Sequence, residues 1–219
     1  VNKNQIINKT KEYVKIKLDG EGTGHDWWHI LRVYKISISI GKKENADMFI
    51  VELTALLHDI ADWKFNEGSS EIGLKLSREW LTNLGVDGAI ISKITNIIGT
   101  MSFKGGTMNA KQETIEGKVV QDADRLDAIG AIGIARAFAY GGHKQRELYN
   151  PNVKPQKHTD FEQYKKNIGT SVNHFYEKLL FLKDLMNTES GKSMAKERHE
   201  FMEKYLDHFF SEWDCKELD

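Results

Sequence analysis

Cysteine is almost missing from this chain: Cys215 is the only one. A single thiol excludes an intrachain disulfide framework and fits a reducing compartment. Proline is nearly as scarce, and its two occurrences, Pro151 and Pro155, fall close together. No apolar run approaches the roughly 20 residues that span a bilayer. The opening VNKNQIINKTKEYVKIKL has no apolar segment of signal-peptide type, so the cytoplasm is the expected location and a membrane is not an expected partner. A dominant charge is absent too: 31 Lys and Arg stand against 32 Asp and Glu, a formal net charge of −1. Nothing draws the chain as a whole to nucleic acid.

What remains is a soluble helical pattern. The 219 residues are 40% hydrophobic and 29% charged, enough for one sizeable core and too apolar for disorder. Ile6, Ile7, Tyr13, Val14 and Leu18 recur at helical spacing up to Asp19-Gly20. A second helix is expected from about His25 to Ile40, stopping at Gly41, and a third from Asn45-Ala46-Asp47 through Leu57. Further helices are expected near 70–84, 88–98, 111–124, 126–140, 160–186 with a break near Gly169, and 190–213. Strand-like alternation is hard to find, and the expected fold is all-α. Without a composition shift, residues 1–219 read as one domain, a core about 25–142 with a helical extension about 160–213. Gly20 to Gly24, Thr100 to Thr107 and Gly141 to Thr159 are the loops long enough to serve as binding segments.

Three stretches bring acids and imidazoles against apolar neighbours: His25-Asp26-Trp27-Trp28-His29, Leu57-His58-Asp59-Ile60-Ala61-Asp62, and Gln121-Asp122-Ala123-Asp124-Arg125-Leu126-Asp127. In a helical bundle those neighbours draw the polar groups inward, where an unpaired carboxylate costs several kcal/mol. Gathered acids and imidazoles repel or shift their pKa values unless a cation sits among them. Nitrogen and oxygen donors without thiolate suit one divalent ion such as Mn, Mg, Co, Ni or Fe better than structural zinc. Such an ion acidifies water and polarises phosphoryl oxygen, which makes hydrolysis the economical reaction.

His29-Ile-Leu-Arg-Val, then His58-Asp59, then Ala123-Asp124-Arg125-Leu126, resembles the H…HD…D signature of the HD superfamily of metal-dependent phosphohydrolases. The likeness is greatest to small stand-alone bacterial members, and it extends over HDWWH, ALLHDIADWKF, DADRLDAIGAIGIAR, AFAYGGH and NTESGKSMAKERHEFMEKYLDHFF. It implies a helical HD-domain bundle with additional C-terminal helices, and metal ligation by His29, His58, Asp59 and Asp124. It also implies a nucleotide substrate, specified as a nucleoside or deoxynucleoside triphosphate cleaved to monophosphate and pyrophosphate. A monophosphate phosphatase and a cyclic-nucleotide phosphodiesterase are the alternatives within the class, and a non-catalytic nucleotide-sensing module is the alternative outside it. The HD-then-GYP pattern of the cyclic-dinucleotide subgroup is absent.

Around the ligands, Asp62 lies three residues beyond Asp59 and is a candidate to orient or deprotonate the attacking water, the other reading being a surface carboxylate. His25, one turn before His29, is the second candidate close to the chemistry, or an exposed helix start. Arg32, Lys64, Lys104, His143 and Lys144 are candidates for substrate phosphate, each with a solvated surface charge or an ordinary ion pair as the plain alternative. Asp127 is expected to support the site on its substrate-binding side or, if the register differs, to replace Asp124. Asp26 reads as a charge favourable to the helix dipole, Asp122 as structural. The apolar face of the last helix serves a core or a protomer contact, so a homodimer is compatible with the sequence.

Overall fold

The structure is a computed structural model, and it describes residues 2–19, 26–60, 71–101, 111–156 and 169–216. Every regular element among the described residues is helical, so the chain is all-α. None of its described helices is long and apolar enough to cross a membrane. The chain packs as two compact units, Val1–Asp124 and Arg125–Asp219. The boundary falls inside one continuous helix, where no change in composition marks it.

The first unit is organised around its most apolar helix. In order it contains α1 (Lys3–Lys17), α2 (Trp27–Lys43), α3 (Met48–Leu57), α4 (Glu71–Asn83), α5 (Gly88–Met101) and most of α6 (Ile115–Asp127). Helix α3 reads MFIVELTALL and buries Phe49, Ile50, Val51, Leu53, Thr54, Ala55, Leu56 and Leu57. A helix apolar on all sides has to be surrounded, and α1, α2 and α5 pack against it. Tyr34 on α2 donates its hydroxyl proton to Glu52 on α3. Burial, with that acceptor beside it, raises the Tyr34 pKa above the ordinary phenol value. Between α1 and α4, Tyr13 stacks on Trp80 with ring centroids 3.9 Å apart, and Trp80 Nε1 donates to Thr10 Oγ1 at 3.0 Å.

Helix α2 does not stop at Gly41 as its sequence suggests; it continues to Lys43. The glycine serves a close approach instead, because a Cβ there would stand 3.1 Å from Met48 Sδ. The turn comes at Asn45, in the left-handed region with φ 54°, a conformation asparagine tolerates better than most residues.

The second unit contains α7 (Gly130–His143), α8 (Asn173–Glu177), a 3₁₀ segment Leu179–Leu185 and α9 (Glu189–Trp213). Helix α7 packs along α9, and Phe138, Phe175 and Tyr205 meet between these elements with ring centroids about 6 Å apart. The long helix expected over 160–186 is, in its described part, the short α8 followed by the 3₁₀ segment. Three residues per turn place Leu179 and Leu182 on one face, and both are buried. The expected division between helices at residue 125 lies instead at Ala128-Ile129, after which Gly130 adopts φ 74°. That backbone conformation is cheap only for glycine, and it turns the chain from α6 into α7.

Candidate metal centre

Helix α2 begins at Trp27 because Asp26 caps it: the Asp26 carboxylate accepts from His29 N at 2.9 Å. The same bond fixes the backbone of His29, whose ring is 1% exposed. Helix α3 ends at His58, and His58-Asp59-Ile60 form a turn closed by Ile60 N to Leu57 O at 3.3 Å. On a continuing helix the two neighbours would point about 100° apart; in this turn both offer atoms to one place.

His58 Nδ1 lies 2.9 Å from Ala55 O. A carbonyl oxygen only accepts, so Nδ1 carries the proton and Nε2 of the neutral ring carries the lone pair. That Nε2 is buried and makes no hydrogen bond. Asp124 Oδ1 stands 3.9 Å from it and 3.6 Å from His29 Nε2, and Asp59 Oδ2 stands 3.8 Å from His29 Nε2. These separations are too long for hydrogen bonds. They suit donors that share an ion, since two atoms each about 2.1 Å from one metal lie roughly 3 to 4 Å apart. Donor atoms of His29, His58 and Asp59 all fall within 4.8 Å of one another. A buried nitrogen lone pair, a second imidazole and two carboxylates are groups of the kind that hold a divalent cation, and their spacing fits one. Exposure rises from the imidazoles to Asp124, whose side chain is 44% exposed; the cluster is open on that side.

The remaining candidates are placed as follows. Arg32 is half-buried on α2, three residues beyond His29. His143 and Lys144 end α7 in the second unit, exposed, with Lys144 Nζ 5.7 Å from the Tyr140 ring. His25, Asp62, Lys64 and Lys104 lie outside the described residues. Asp127, expected to support the site or touch substrate, is 1% exposed and ion-paired to Arg136. Asp122 is wholly buried, and Arg125 donates to Leu185 O. Trp28, beside His29 in sequence, is 61% exposed. Sequence reasoning missed Arg136 and Arg198, which meet the end of α6 from elements nine and 72 residues away. No local spacing announces such partners.

A family model described as the HD domain matches residues 27–129, a span that contains His29, His58, Asp59 and Asp124. YpgQ of Bacillus subtilis is 41% identical over 197 residues, covering 90% of this chain and 88% of YpgQ. A crystal structure of an HD-superfamily hydrolase from Bacillus thuringiensis is 45% identical, covers 97% of this chain and 99% of that one, and superposes with a TM-score of 0.78. The crystal structure of YpgQ in complex with ADP is 38% identical over 96% of each chain, with a TM-score of 0.76.

Proposed function

The chain belongs to the HD superfamily of hydrolases, and from that premise we propose that it is a metal-dependent phosphohydrolase acting on nucleotides. The observation that carries this reading is the buried Nε2 lone pair of His58, held in that tautomer by Ala55 O and set 3.9 Å from the Asp124 carboxylate. The preferred substrate is a nucleoside or deoxynucleoside triphosphate, split into monophosphate and pyrophosphate. Support for a nucleotide comes from the ADP bound in the YpgQ relative.

His29, His58, Asp59 and Asp124 would hold the ion, whose bound form supplies Lewis acidity to a phosphoryl oxygen and acidifies water. The chain does the rest. Asp26 fixes where His29 starts, and Ala55 O fixes which nitrogen of His58 is free. The two carboxylates would repel an approaching polyphosphate, so cationic side chains have to offset them. Arg32, Lys64 and Lys104 are proposed for that part, and His143 and Lys144 are assigned it or denied it by their effect on KM when substituted. Asp62 is proposed to take the proton from the attacking water, and His25 is proposed to contact substrate or support the site.

The test is a nucleotide panel with Mn, Mg, Co, Ni or Fe added to metal-stripped protein, read by phosphorus NMR of the products. Pyrophosphate and monophosphate from a triphosphate support the reading. Orthophosphate from monophosphates, or ring opening of cyclic nucleotides, moves the assignment within the class. Tight nucleotide binding with no turnover under any metal replaces the enzyme with a sensor.

A further inference from the structure

The last turn of α6 carries Asp124 and ends at Asp127, where the turn at Ala128 and Ile129 begins. A helix that stops there leaves its final carbonyls without intrahelical donors. The following turn supplies some, with Ala128 N donating to Arg125 O at 3.1 Å and Ile129 N to Leu126 O at 3.3 Å, and two arginines from later elements add to them. Arg198 Nη1, from α9, donates to Leu126 O at 2.5 Å. Arg136 Nη1, from α7, lies 3.4 Å from Asp127 O and also binds the Asp127 carboxylate. That carboxylate is 1% exposed, so its buried charge relies on cationic partners such as Arg136. Arg198 reaches its carbonyl past Gly130, where a Cβ would stand 3.0 Å from both Cβ and Cγ of the arginine. The glycine therefore serves the turn and the passage of Arg198 together. Two guanidinium groups at a helix C-terminus also complement the negative end of its dipole.

Asp124 sits in the turn that these groups secure. Asp124 opens that last turn, so unwinding of the turn back to Asp124, rather than fraying of Asp127 alone, would free its backbone and let the carboxylate leave the two imidazoles. We propose that Arg198 and Arg136 are positioning residues: they cap the end of α6 and so keep Asp124 in register to share a cation with His29 and His58. The inference rests on the metal-site reading above and extends it to two residues outside the proposed ligand set.

The experiment is Mn²⁺ titration into metal-stripped protein by calorimetry, with a melting curve for each variant to confirm that it is folded at the titration temperature. Arg198→Met and Arg136→Met are expected to weaken Mn²⁺ binding about tenfold, the lower end of the range for groups that orient ligands. Arg198→Lys, which keeps the charge and loses the planar fork, is expected to fall between. Lys204→Met, on the exposed side of α9, is expected to bind as the wild type does. If the melting temperatures fall while Mn²⁺ affinity of the folded variants stays at the wild-type value, the arginines are merely structural and the proposal is overturned. Should Arg198→Met not fold, Arg198→Lys decides alone: an intermediate affinity supports positioning, and wild-type affinity overturns it. Failure of the underlying metal reading looks different, because the wild type and Asp124→Asn would then give the same heat.

Discussion

Replacing Asp124 by asparagine separates two meanings of the same geometry. Its Oδ1 lies 3.6 Å and 3.9 Å from two imidazole nitrogens. As a plain ion pair at a side chain 44% exposed, the contact would be solvent-screened and worth about 0–1 kcal/mol, with or without metal. As one edge of a metal site, it matters only when the ion is present. At a free Mn²⁺ concentration one hundred times the dissociation constant, linkage stabilises the folded protein by about 2.7 kcal/mol. For a chain of 219 residues, each kcal/mol moves the melting temperature by about 2–4 °C, so Mn²⁺ should raise it by roughly 5–10 °C. The expected result is that Asp124→Asn melts within about 2 °C of the wild type in EDTA and loses most of the Mn²⁺-induced rise. Melting curves followed by circular dichroism, with EDTA or graded Mn²⁺, make the measurement. A variant that keeps the full rise, or one destabilised equally in EDTA and Mn²⁺, refutes the reasoning.

Asp26→Ala removes the cap that bonds His29 N; it should cost about 1 kcal/mol, seen as a lower urea midpoint, and should weaken Mn²⁺ binding because the first turn of α2 presents His29. The pH dependence of stability should carry a contribution from His174, whose ring is held well below the usual imidazole pKa by burial and then by the Lys178 and Arg146 charges. A depressed folded pKa means that the unfolded chain takes up the proton first, so this contribution is present above the unfolded value of 6.5 and is lost as pH falls below it. Urea unfolding of His174→Asn should accordingly show a flatter loss of stability between pH 7 and pH 5 than the wild type, and parallel curves would remove His174 from the account.

The helical class was legible because apolar period is a local property: α3 is apolar throughout and had to be enclosed, and α1 repeats at Ile6, Ile7 and Val14. The clustering of His29, His58 and Asp59 was legible for the same reason, since His58 and Asp59 are neighbours and His29 follows its own cap by three residues. Breaks in the backbone were read less well. Gly41 looks like a helix stop and is a contact with Met48, whereas Gly130 is the true turn, and only the φ of 74° distinguishes the two. The segment 169–186 has the leucines of a helix, yet one buried face at Leu179 and Leu182 favours three residues per turn over 3.6.

By itself, the sequence determined an all-α chain of the HD superfamily, with two imidazoles and two carboxylates set among apolar neighbours. Only the tertiary structure decided that His58 presents the lone pair of its buried Nε2 rather than that of Nδ1, because the choice depends on where Ala55 O points. It also decided that Asp124 faces the imidazoles while Asp127, three residues on, is enclosed with Arg136. A helix period puts both aspartates on related faces, and partners far away in sequence tell them apart.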